Sequence, residues 1–99
     1  MNWLEIIDVS AAGPREKIKI LELCGKIRIP RLRGRSANLK VYGSSLSTEL
    51  SIHIQWTSYP ELEGKSPLGR ELSRTIGDLG LVTHTIWTEY DQSMPGKTA

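Results

Sequence analysis

Residues 39–58 read LKVYGSSLSTELSIHIQWTS: two runs rich in β-branched and aromatic residues, LKVYGS and LSIHIQW, joined across Ser45 to Glu49. That pattern predicts a hairpin of two strands. In the second run successive side chains alternate between faces, so Ile52, Ile54 and Trp56 share one face while His53 and Gln55 share the other. The position of this hairpin between two helical segments decides the fold.

Upstream, residues 3–9 read WLEIIDV. Leu4 and Ile6 on one parity and Trp3 and Ile7 on the other predict a strand buried on both faces, which Ala11-Ala12-Gly13-Pro14 ends. Pro14 suits the first position of a helix, where a missing N–H costs nothing. Ile20, Leu23, Cys24 and Ile27 then form an apolar stripe, and Pro30 sets the end near Arg28. Residues 31–38, RLRGRSAN, have no apolar periodicity and read as a loop.

Downstream of the hairpin, YPELEGK is a connection. Ser66 and Pro67 open a second helix as N-cap and first residue, with Gly69 standing where a capping box would place Glu or Gln. Its stripe is Leu68, Leu72, Ile76 and Leu79. Gly80 is expected to close it as a left-handed residue, with Leu81 packing back on Ile76, before the final strand VTHTIWTEY. Residues 91–99 read as a polar, flexible tail on a single domain spanning 1–90.

The order strand, helix, strand, strand, helix, strand is that of the ferredoxin-like α+β fold, βαββαβ, in which two helices cover one face of a four-stranded antiparallel sheet. The other face needs a cover. A second copy of the chain, packed sheet to sheet about a two-fold axis, meets that need and predicts a homodimer.

Composition narrows the function. A chain of 99 residues with 38% hydrophobic residues and no Phe builds a small core from Ile, Leu and Val, with bulk from three tryptophans. Its single cysteine, Cys24, excludes an internal disulfide, a zinc ribbon and a redox pair, and fits a reducing, cytoplasmic setting. The opening MNWLEIIDVSAAG has no basic region ahead of its apolar residues, and no run approaches a membrane span. The net charge of +2 does not by itself demand a polyanionic partner.

The segments LKVYGSSLSTELSIHIQWTSYPELEGKSPLGREL and GLVTHTIWTEY resemble the antibiotic-biosynthesis monooxygenase family of dimeric α/β-barrel proteins, in which a "VY" strand pairs with one ending in a W-x-S element, here Trp56-Thr57-Ser58. The resemblance covers most of residues 3–90 and implies a dimeric α/β barrel. It also implies a small aromatic or quinone-like ligand and, among some members, its oxidation without a bound cofactor. The haem-degrading branch has an Asn on its first strand; Asn2 lies at the terminus, and that role is not carried onto it. Where the family often has a His after W-x-S, this chain has Glu61, Leu62, Glu63 and Gly64.

Four sets of candidate residues follow. His53 is either a general base, with Gln55 as a hydrogen-bond donor to a phenolic or quinone oxygen, or one of a satisfied polar pair; His84 poses the same alternative. The two histidines should sit two strand spacings apart, and no third ligand for a metal is evident. Trp56 and Trp87 either wall a cavity for a flat ligand or are plain core. Arg31, Arg33 and Arg35 could grip an anion or an acidic partner as part of a non-catalytic module, or form a solvated edge; no interleaved aromatic residue supports nucleic-acid binding. GKSPLGR could hold an anion at its helix N-terminus beside Lys65 and Arg70, but lacks P-loop spacing. Cys24, on the helical stripe, reads as an inert buried thiol.

Overall fold

The computed structural model describes residues 2–29, 35–58 and 64–90. The elements are β1 (Asn2–Ala11), α1 (Pro14–Gly25), β2 (Arg35–Gly43), β3 (Glu49–Ser58), α2 (Pro67–Ile76) and β4 (Gly80–Thr88). All four strands form one antiparallel sheet in the order β2-β3-β1-β4, the arrangement of a ferredoxin-like α+β fold. The hairpin β2-β3 lies at one side, and the central strand β1 pairs with both β3 and β4.

One face of the sheet carries the core. Trp3, Ile7, Val9 and Ala11 of β1 and Leu50, Ile52, Ile54 and Trp56 of β3 are buried there against Ile20 and Cys24 of α1 and Leu72 and Ile76 of α2. Ala37, Leu39 and Val41 of β2 and Val82 and Ile86 of β4 pack at its margins. The Cys24 thiol is free and buried, and burial pushes its pKa up to about 11, which disfavours the nucleophilic thiolate at neutral pH.

The opposite face of the sheet is open. Asn2, Leu4, Ile6, Asp8 and Ser10 of β1 point there, with Leu4 and Ile6 only half-buried; β1 is therefore covered on one face rather than on both within a single chain. Tyr42, Leu81 and Trp87 lie exposed on the same side.

Three local expectations need correction. Residues 35–38 belong to β2, because the ladder with β3 runs on to Arg35 opposite Ser58. Helix α1 stops at Gly25, short of Arg28. Gly80 is not a left-handed cap: α2 ends at Ile76, Gly80 has no positive φ, and it opens β4 opposite Ala11. Its missing side chain serves close approach, since a Cβ there would collide with Ser10 O and meet Ala11 Cα at 2.8 Å. Leu81 consequently points to the open face, 82% exposed, away from Ile76. Arg31, Arg33 and the tail 91–99 lie outside the described residues.

Candidate functional site

Two groups of polar atoms are buried between the sheet and the helices. The first is built on Glu5, whose carboxylate points into the core from the middle of β1, opposite Ile54 and Ile86, and is fully shielded from solvent. A carboxylate in such a place must be held by donors. Ser66 supplies two: its N–H donates to Glu5 Oε1 at 2.5 Å and its Oγ–H to Oε2 at 3.0 Å. Ser66 Oγ in turn accepts from Gly69 N at 3.0 Å, as an N-cap should. Glu5 thus does from β1 what the Glu of a capping box does from within the helix, and Gly69 is the residue that makes room for it.

His84 completes this group. It stands on β4 opposite Ile7, its side chain 6% exposed, with Nε2 3.4 Å from Glu5 Oε2. Burial pushes the imidazole below its ordinary value of 6.5; Glu5 pulls it up, Lys65 and Arg70 push it further down, and the balance is downward. With its proton on Nε2 the ring donates to Glu5 and leaves Nδ1 as an acceptor.

The second group is a pair of tryptophans. Trp3 and Trp56 face each other across β1 and β3 on the core side, 8% and 5% exposed. Both indole N–H groups are buried without a hydrogen-bond partner among the described residues. A cleft of about 460 Å³ opens beside them at the end of the sheet, lined by Trp3, Trp56, Trp87, Gln55, Asn2 and neighbours. Three of the residues singled out from the sequence therefore meet: Gln55 and Trp87 approach from the open face, Trp56 from the core face. The Asn2 amide is engaged with Glu89 and Thr57, and the Trp87 indole donates to Thr85 Oγ1.

The histidines are not brought together. His53 pairs across the sheet with Ile6, and His84 with Ile7, so they occupy opposite faces. His53 lies half-buried on the open face, 2.9 Å from Ser51 Oγ and stacked at a tilt on Tyr42. Neither histidine lines the tryptophan cleft. Of the arginines, Arg35 opens β2, and its partners in the run lie outside the described residues.

The sequence reading singled out neither Glu5 nor Trp3 as a candidate and took Ser66 only as the N-cap of α2, not as the partner of a buried carboxylate. Its signal was available in part: a Glu on the same parity as Trp3, Ile7 and Val9 must be buried if they are. Among the described residues no cluster of three His, Cys, Asp or Glu could hold a metal ion, and no helix is long and apolar enough to cross a membrane. Compared with family models, with curated proteins and with solved structures, the chain matches none.

Proposed function

We propose that this protein is a homodimeric α/β-barrel protein that binds a flat, oxygen-bearing aromatic or quinone-like compound at the Trp3–Trp56 end of its sheet. The observation that carries this reading is the pair of adjacent buried indole N–H groups with no acceptor. Leaving a buried donor unpaired costs about 1–3 kcal/mol, and a quinone carbonyl or phenol oxygen would recover that cost. Trp3 and Trp56 border the cleft from the core face and Trp87 from the open face, and its volume of about 460 Å³ is within the range of small-molecule sites. A second copy seated on the open face would cover Leu4, Ile6, Leu81 and Trp87 and wall the cleft from that side.

The family resemblance adds oxidation without a bound cofactor: a ring CH₂ becomes a carbonyl while one O₂ is consumed and one water released. Because neither His53 nor His84 lines the cleft, binding is the part of this reading that the geometry supports. Titration with 1,4-naphthoquinone, followed by tryptophan fluorescence, tests it. Saturable quenching is expected, weakened about five- to tenfold in Trp3→Phe and Trp56→Phe, the equivalent of one hydrogen bond each. Absence of saturable quenching, or equal affinity in all three proteins, refutes the site. Oxygen uptake on adding a polycyclic phenol, whose keto tautomer carries the ring CH₂, separates an oxygenase from a binding protein.

A further inference from the structure

We propose that the cleft between α2 and β4, lined by Lys65, Arg70, Ser73, Arg74 and His84, binds a small doubly charged oxyanion of the phosphate or sulfate type. This site is separate from the tryptophan cleft and does not depend on it.

The N-terminus of α2 is not the site. Its cap is satisfied from within the protein, because Glu5 accepts from Ser66 and Ser66 accepts from Gly69. The cationic side chains line a cleft of about 570 Å³ alongside α2. Lys65 and Arg70 make no ion pair among the described residues. Arg70 Nε donates to Lys65 O at 3.3 Å, which holds the guanidinium beside the Lys65 backbone and leaves its terminal nitrogens for another acceptor. Arg74 is bonded to Glu71 at 2.5 Å and adds a partly neutralised charge. Ser73 supplies an independent sign of an absent partner: its Oγ is shielded from solvent and bonded to nothing among the described residues. Ser73, Lys65 and Arg70 line one cleft, and a hydroxyl, an ammonium and a guanidinium are the donors that a tetrahedral oxyanion accepts from.

His84 lines this cleft and links binding to protons. The charged groups that bear on it are Glu5 from β1, Lys65 just ahead of α2, Arg70 from its first turns, and Arg74 among the cleft residues. The two cations disfavour a protonated ring. A dianion between them cancels their field, so that a protonated His84 can donate to Glu5 through one nitrogen and face the anion with the other. Oxyanion binding should therefore draw a proton onto His84 and tighten as the pH falls.

The test is a titration with sodium sulfate, whose charge does not change over this pH range, at low ionic strength, observed through the backbone amides and the His84 ring by NMR. The expected result is a set of saturable shifts confined to residues 65–74 and 84, absent with sodium chloride at matched ionic strength, and an affinity higher at pH 5.5 than at pH 7.5. Lys65→Ala/Arg70→Ala should weaken sulfate at least tenfold, and Ser73→Ala several-fold, with naphthoquinone quenching unchanged in both. Inorganic phosphate and phenyl phosphate, titrated in parallel, distinguish a free anion from a phosphomonoester: equal affinities assign the former and tighter phenyl phosphate the latter. Shifts reproduced by chloride, or wild-type affinity in the double variant, would overturn the proposal.

Discussion

Replacing Gly69 by Ala sets two physical effects against each other. Gly69 is the third residue of α2 and has no positive φ, so helix propensity alone makes Ala better by about 1 kcal/mol. Packing opposes it. The new Cβ would collide with Glu5 Oε2 and meet the His84 ring at 2.9 Å. The carboxylate has to withdraw by roughly an ångström or more before that contact becomes ordinary, and it cannot do so while keeping both bonds from Ser66. Losing one bond to a buried charged group costs about 1.5–3 kcal/mol, and overpacking adds about 1–3 kcal/mol. After subtracting the propensity gain, the net loss centres near 3 kcal/mol, which lowers Tm by about 12–24 °C in a domain of this size. Urea denaturation and thermal melting by circular dichroism measure it. Gly25→Ala, at a position with open space around it, is the control and should leave stability unchanged or raise it slightly. In a Glu5→Ala background, most of the cost of Gly69→Ala should vanish because the obstacle has gone. A Gly69→Ala protein that melts at or above the wild-type temperature would refute the account of Glu5 as the carboxylate that closes α2.

Two further outcomes are expected. Because burial holds His84 below 6.5 in the folded chain, the unfolded chain binds more protons between that lowered value and 6.5; the contribution of His84 to stability is complete above about pH 6.5 and is lost as the pH falls through this window. The difference in Tm between wild type and His84→Gln should therefore shrink from pH 7 to pH 5, and a constant difference contradicts the buried neutral imidazole. Light scattering at micromolar concentration should give about twice the chain mass, and Ile6→Asp, which puts a charge in the middle of the open face, should halve it; a wild-type monomer removes the barrel.

Periodicity made most of the architecture legible. The alternation of SIHIQW placed Ile52, Ile54 and Trp56 together on the core face, and Ser66-Pro67 marked the start of α2 to the residue. What misled was local chemistry with two uses. Gly80 fits a helix cap as well as a close strand crossing, and only the neighbouring backbone of Ser10 and Ala11 decides between them. The candidate sites fared less evenly for a related reason: face can be counted along one strand, but contact between strands requires register. His53 and His84 look equivalent in sequence and fall on opposite faces because their partners on β1 are consecutive residues. Glu5 could be placed inside by parity, but its partner Ser66 lies 61 residues away, beyond any local pattern.

The carboxylate of Glu5 also bears on which pairing the central strand adopts. A slip of one residue along β1 would turn Asn2, Leu4, Ile6, Asp8 and Ser10 toward the helices in place of Trp3, Glu5, Ile7, Val9 and Ala11. Leu4 and Ile6 would fill much of the space, so hydrophobicity separates the two pairings less sharply than in a strand with one polar face. The shifted pairing strands Asp8 beneath the helices without a cap to accept it, and leaves the Ser66 N–H without its carboxylate. A polar contact of modest net worth in the native chain thereby becomes a large penalty against its nearest competitor. The molecule gains uniqueness of fold from the same bond that closes a helix.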